Sequence, residues 1–389
     1  MIGENGLLTK AGNAQKETLN SENEEKLQVE VLGSYNKRGK IDTNQLRTNL
    51  QHISGITTEN DDTITDSTTI ELPMIVKIDG NQYLIKEDGK TRAKYGIDEY
   101  DLERNPETYY GSYVTNYNSP YDIGIDLEGQ AGKWQIFMAD EDNIYLISSN
   151  YITRKYTGTK NNVGFGYDTT KYTEETATQM NFLSISSEYN ANSNTTEIPD
   201  ILSKLNKPSI YHIWMNTPEN QIRNLAGEKA IASILDTNVW KDYNNTIYAQ
   251  YTIGGPSLEM FCKAYNDSHV GENLEYEVVN GTDRLYGYRM RKGTAGDYSY
   301  SVGGLKTNAI SEKVDGMFFK STAKDSRYYI ASPSIAGYYH RILFIYSAGS
   351  VSREFYQNNT ASFRPLVCLK SNIHLVKNED EETYSLEVD

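Results

Sequence analysis

The sequence predicts an α+β protein: a long N-terminal helix and a small antiparallel sheet, then a larger domain of two helices, mixed short strands and long loops. Three observations predict it. Leu7, Leu8, Ala11, Ala14, Leu27 and Val31 keep helical spacing over residues 2–31. The runs Met74–Ile78 and Gln82–Ile85 flank Asp79-Gly80-Asn81, a strong hairpin signal. The last third of the chain alternates short apolar runs, such as 341–346 and 366–369, with turn residues and aromatic-polar stretches.

Composition narrows the function classes. A chain of 389 residues is long enough for two or three domains with a proper core. Only 38% of residues are hydrophobic, yet 32 are Tyr, so Tyr carries much of the burial and also leaves ring area at the surface. A net charge of −15 argues against nucleic acid and against an anionic membrane surface, because both need clustered Lys and Arg. Cys262 and Cys368 are too few for a disulfide framework. Each sits in an apolar phase, which reads as two separate buried thiols. No apolar run approaches the roughly 20 residues that a membrane span needs.

Taken in order, the helix over 2–31 is almost entirely polar between Lys16 and Lys26, too little apolar area for a domain by itself. A second helix is expected over 42–53, opened by Asp42-Thr43-Asn44-Gln45 with N-cap and capping-box chemistry. The hairpin continues to a further turn at Glu87-Asp88-Gly89-Lys90. Residues 1–90 thus form one unit, and 91–108 read as a charged linker with Pro106 near its end. A second domain is expected over 109–378, starting at Tyr109–Val114. Two alternating strands follow, Trp134–Met138 and Ile144–Ser148. Their connection, 139–143, is acidic but lacks the oxygen spacing and closing Glu of a calcium loop, and reads as a solvated hairpin tip. Residues 153–205 read as long loops. Helices are expected over 225–235 and over 257–266, the latter opened by Gly254-Gly255-Pro256. Short strands and loops fill 271–326, with Gly303-Gly304 and Asp315-Gly316 as turn markers, and 379–389 reads as a solvated acidic tail.

Catalytic and metal patterns are missing from the sequence. His52, His212, His269, His340 and His374 have no metal-ligand spacing. Ser332 has no nucleophile-elbow context. Carboxylates such as Glu259 and Asp283 form no paired pattern. The expectation is a protein that is not an enzyme and holds no cofactor or metal. The stretch 327–371 instead has the make-up of a binding face. Ile335, Tyr338, Tyr339, His340, Arg353, Phe355, Tyr356, Asn358, Asn359 and Ser362 are the candidate ligand-binding residues. Tyr offers large contact area at little rotamer cost, while Asn and Ser adapt their hydrogen bonds. The competing reading is that one of Phe355 and Tyr356 points inward and fills the core. Arg364, beside Pro365, reads as a scaffold residue that pairs with buried carbonyls or a carboxylate.

Two resemblances add to this. Residues 2–90, from IGENGLLTKA through EEKLQVEVLGSY to VKIDGNQYLIKEDGK, resemble the soluble part of clostridial type IV pilin-like proteins. In those, a short leader and an apolar half-helix precede this segment. The resemblance therefore implies an extracellular, pilus-associated protein at the cell surface, whose only membrane contact is an N-terminal helix absent from these residues. The element order of 109–376 resembles the C-type lectin fold, in which the terminal strand returns beside the first. Tyr329–Ser334, Arg341-Ile342 with Gly349-Ser350-Val351, and Phe363–Val367 look like scaffold positions of clostridial pilin-like surface proteins and of diversity-generating retroelement variable proteins. By that likeness, 335–340 and 353–362 would face the ligand. Tyr329 and Ile330 stand where a Trp is usual, and the Glu-Pro-Asn, Gln-Pro-Asp and Trp-Asn-Asp patterns of calcium-dependent sugar binding do not occur. The expected partner is a protein or glycan on another cell, a host or a phage. The alternative is a structural minor pilin that packs against other pilin subunits.

Overall fold

The computed structural model describes residues 4–115, 117, 134–140, 143–149, 253–254, 256, 258–269, 271, 273–280, 286–291, 298–299, 302–303, 312–319, 327–333, 341–346, 350–355, 362–364, 366–379 and 382–388. The chain is mixed α and β and divides into two compact units, Met1–Gly96 and Ile97–Asp389. No helix among the described residues is long and apolar enough to cross a membrane.

In the first unit, helix α1 (Glu4–Leu32) covers the predicted span. Helix α2 (Thr43–Leu50) starts where Asp42 caps it: the carboxylate accepts from the N–H groups of Asn44 and Gln45 at 3.0 and 3.2 Å. The expected capping box is not made, because the Gln45 amide donates forward to Asn49 Oδ1 at 2.7 Å. Strands β1 (Ile56–Thr58), β2 (Met74–Ile78), β3 (Asn81–Ile85) and β4 (Thr91–Lys94) form an antiparallel sheet in that order. Asp79 and Gly80 make the β2–β3 turn with φ of 51° and 81°. Positive φ at both central residues is what a two-residue turn needs to match the strand twist. Leu27 and Val31 of α1, Leu46 and Leu50 of α2, and Val76, Ile78, Tyr83 and Ile85 of the sheet make the core.

The polar middle of α1 is not idle surface. Asn20 donates to the Tyr95 hydroxyl at 2.8 Å and accepts from the Tyr83 hydroxyl at 3.1 Å. Glu24 accepts from the Ala93 N–H at 3.3 Å, and Gln28 accepts from the Thr91 N–H at 3.0 Å. Two helix residues four apart span about 6 Å, and two strand residues two apart span about 6.8 Å. The side chains of α1 therefore match the outward N–H groups of edge strand β4, satisfying donors that an uncovered edge leaves open.

The second unit begins inside the expected linker. Residues 91–94 belong to β4, and the remainder forms α3 (Glu99–Arg104) and α4 (Pro106–Tyr109). Asp98 and Asp101 close a capping box on α3, and Leu102 is fully buried, so local caps and one core contact order a charged segment. A seven-stranded sheet follows. It contains β5 (Tyr113–Val114), β6 (Trp134–Asp140), β7 (Asn143–Ser148), β8 (Ile253–Gly254), β17 (Leu366–Cys368), β18 (Ile373–Lys377) and β19 (Thr383–Val388), in the order β18-β19-β5-β6-β7-β17-β8. Strands β6 and β7, expected to alternate, are buried on both faces because they lie at the centre. Even Gln135 is buried, donating to the Gly111 carbonyl at 2.8 Å.

The predicted acidic tail is likewise corrected. The run 379–382 lies between β18 and β19, and β19 buries Tyr384 and Leu386 while pairing parallel with β5. Alternation of Tyr384 and Leu386 with polar neighbours gave the strand its inner face, and the acidic residues masked that signal.

Helix α5 (Leu258–Ser268) occupies the place predicted for 257–266. Its Phe261, Tyr265 and His269 side, spaced by four, meets Phe318 of α6 (Glu312–Phe319) at ring separations of 5.2, 5.6 and 5.6 Å. Phe137 of β6 approaches the same ring at 5.9 Å. Helix α6 was not expected: Asp315-Gly316, read as a turn marker, lies within it. Burial of Val314, Met317 and Phe318 on one side outweighs the cost of a mid-helix Gly. The helix expected over 225–235 and the loops expected over 153–205 lie outside the described residues.

Two further sheets complete this unit. One has three antiparallel strands, β9 (Glu275–Asn280), β10 (Tyr286–Arg291) and β11 (Tyr298–Ser299), in the order β11-β10-β9. The other has five: β12 (Val302–Gly303), β13 (Arg327–Pro333), β14 (Arg341–Tyr346), β15 (Ser350–Phe355) and β16 (Ser362–Phe363), in the order β12-β15-β14-β13-β16.

Candidate functional site

Of the predicted binding residues, Ile335, Tyr338, Tyr339, His340, Tyr356, Asn358 and Asn359 lie outside the described residues. Arg353 and Phe355 are on β15, with backbones opposite Leu343 and Arg341, and Ser362 is on β16 beside Tyr328. Residues 353–355, expected to belong to a polar connection, are thus strand. Pairing with the apolar β14 decides it, since Arg353 and Glu354 carry little β signal by themselves.

The register sets the last residues of β13 and β15 at the same end of the sheet. Pro333 at the end of β13 lies opposite Ile342, and Ile342 lies opposite Glu354 near the end of β15. The last residues of β13 and β15 therefore lie at one end of the sheet, with β14 between them.

Beneath this sheet lies Arg364, fully buried. Its Nε and Nη2 donate to the Ser148 carbonyl oxygen at 3.0 and 2.8 Å, and Nη1 donates to the Met317 carbonyl. The guanidinium carbon stands 5.3 Å from the centre of the Tyr328 ring. Met317 is in the last turn of α6, where carbonyls have no helical donor and carry the negative end of the helix dipole. One side chain thus joins β7, α6 and β13, the scaffold role that the sequence predicts for it.

A second constellation escaped sequence reading. Lys263 on α5 reaches Glu103 of α3 at 3.1 Å and Asp267 of its own helix at 2.8 Å. The Tyr110 hydroxyl donates to Asp267 at 3.3 Å and accepts from the Ala139 N–H at 3.1 Å. At the end of β6, Asp140 accepts from the Tyr145 hydroxyl at 2.7 Å. Burial raises the Glu103 carboxyl above its ordinary value; Lys263 opposes this, and Asp140 and Asp267 add to it. Burial works against the Lys263 ammonium, yet its bond to Asp267, together with the two carboxylate charges, holds its pKa above the ordinary value. Burial pushes the Tyr110 hydroxyl well up. Held as an ammonium, Lys263 is a structural clamp. Lys263 and Asp267 are a helical i, i+4 pair, but no sequence spacing links them to residues 103, 110 and 140.

Lys313 on α6 has its pKa lowered by burial and donates to the Thr108 carbonyl at 2.9 Å and to Ser112 Oγ at 3.0 Å. Ser112 is only 2% exposed, so this pair offers no hydroxyl to a substrate. Cys262 and Cys368 are separate buried thiols that form no disulfide, as the sequence predicts. Among the described residues, no three His, Cys, Asp or Glu side chains are grouped so as to hold a metal ion.

These features define a chain of mixed α+β class with several sheets and few helices among the described residues. No protein-family model, curated protein or solved structure matches it.

Proposed function

We propose that this chain is a non-catalytic ligand-binding protein of the bacterial cell surface, a pilin-like adhesin with a C-type lectin-like scaffold. Its binding face is formed by Ile335, Tyr338, Tyr339 and His340 together with Arg353, Phe355, Tyr356, Asn358, Asn359 and Ser362. The observation that carries this reading is that β13 and β15, on either side of β14, end at the same end of one sheet, and the Tyr- and Asn-bearing segments follow those ends in sequence. Arg364 supports it by tying that sheet to the rest of the unit, so the face rests on a fixed base. The return of terminal strand β19 to first strand β5 is in keeping with the lectin-like order, although the pairing is parallel. Affinity then comes from a few aromatic or Arg anchors, with a protein or glycan as ligand.

The test is a glycan-array and surface-display screen of the full chain beside a Tyr338→Ala, Tyr339→Ala, Tyr356→Ala variant. A ligand held by the first and lost by the second, at unchanged melting temperature, supports the adhesin. Binding that survives all three changes moves the site elsewhere. A second reading, a structural pilin subunit, is favoured by the exposed Val29 and Leu32 of α1. It expects no foreign ligand and self-association of the full chain.

A further inference from the structure

The outer side of α1 carries a feature that ligand binding at the sheet end does not use. A groove of about 500 Å³ runs between the last three turns of α1 and Thr91 of β4. Ser21, Glu25, Gln28 and Leu32 along it follow the spacing i, i+4, i+7, i+11, which sets them on one face of the helix. Val29 and Leu32 are 58% and 59% exposed, large for apolar side chains in a unit that buries Leu27 and Val31 completely.

The groove is preformed. The Gln28 amide donates to the Gly89 carbonyl at 3.1 Å and accepts from both the N–H and the hydroxyl of Thr91 at 3.0 Å. The Glu24 carboxylate is held by the Ala93 N–H. A partner therefore meets side chains already fixed, which lowers the ordering cost of binding. Its charge is one-sided. Residues 21–32 carry Glu22, Glu24, Glu25 and Glu30 against the single Lys26.

We propose that this groove docks a basic amphipathic helix of another protein. Apolar residues of the partner cover Val29 and Leu32, and its Lys or Arg residues meet Glu24 and Glu25. A second copy of this chain is the poorer occupant: its matching surface carries the same acidic residues, and like charges brought together repel.

The experiment uses the full chain and two synthetic helical peptides of roughly 18 residues, long enough for a stable helix. They share one Leu spacing and are flanked by Lys in one and Glu in the other. In fluorescence anisotropy at physiological salt, the Lys peptide binds and the Glu peptide does not. Val29→Ser and Leu32→Ser each weaken binding about tenfold, through lost apolar burial. Glu25→Lys narrows the preference between the peptides, because Glu22, Glu24 and Glu30 then face the introduced ammonium and Lys26 in a segment that stays weakly acidic. All three side chains are exposed, so the melting temperature stays unchanged. Equal binding in the Ser variants overturns the proposal, because the attraction is then only that of a chain with net charge −15. Self-association abolished by Leu32→Ser also overturns it, placing a second copy in the groove.

Discussion

Arg364 directs two donors at one acceptor, the Ser148 carbonyl oxygen, at 3.0 Å through Nε and 2.8 Å through Nη2. With the Met317 carbonyl, this gives a buried cation main-chain oxygens as partners, including one at a helix C-terminus. The planar fork suits such an arrangement in a way that a Lys ammonium does not.

Arg364→Met leaves the Ser148 and Met317 carbonyls without these donors. A loss of about 3 kcal/mol is expected, the range for stripping partners from buried polar groups. Arg364→Lys recovers less than half of it. Urea denaturation of the full chain measures both. A loss below about 1 kcal/mol for Met, within reach of one ordinary hydrogen bond, counts against the pin.

Gly111 has φ of +80°, and a Cβ there would lie 2.8 Å from the Lys313 carbonyl oxygen, a backbone atom that cannot swing away. Gly111→Ala combines that collision with a strained backbone and costs about 2 kcal/mol or more. Thermal melting of the full chain checks it, with Gly271→Ala (φ +80°, open space around it) as the milder control.

Glu103 has its pKa raised by burial. For a carboxyl whose pKa is higher folded than unfolded, the stabilising contribution is fully present below the ordinary carboxylate value. It is lost as pH rises through the folded value. Glu103→Gln is therefore expected to raise the melting temperature relative to the native chain at pH 7, and the gain shrinks toward zero at pH 4. A gain that grows on acidification would show that the Lys263 contact outweighs desolvation.

Burial, with a smaller contribution from the Glu259 charge, pushes the Cys262 thiol well above its ordinary value. The thiolate is the reactive form. Neither Cys262 nor Cys368 should be alkylated by iodoacetamide in the native chain at pH 8, and both should react in urea. Mass spectrometry reads the two sites separately; fast native labelling of either one contradicts its burial.

Asn20→Ala removes the side chain that donates to the Tyr95 hydroxyl and accepts from the Tyr83 hydroxyl. About 1–2 kcal/mol should be lost, appropriate to buried hydrogen bonds. Asn20→Leu should be no better, since it too gives up the amide's bonds to both hydroxyls. Chemical denaturation followed by circular dichroism compares the three chains.

The sequence by itself determined the features whose causes are local. Helical spacing set α1, the Asp42 side chain set the start of α2, and Asp79-Gly80 set a hairpin whose turn needs two positive φ values. The apolar runs of β14 and β17 and the burial of both cysteines were legible for the same reason: each is a property of a few consecutive residues. Tertiary structure alone decided the remainder. It made strand of residues 353–355 and 383–388, and helix of 312–319 across a Gly. It also turned the polar stripe of α1 into the cover of a sheet edge. In each case the stabilising partner lies far along the chain, so its pattern is visible only once the fold has brought the pair together. Arg364 stands between the two kinds. Its scaffold role was readable beside Pro365, whereas its partners at 148 and 317 were fixed only by packing.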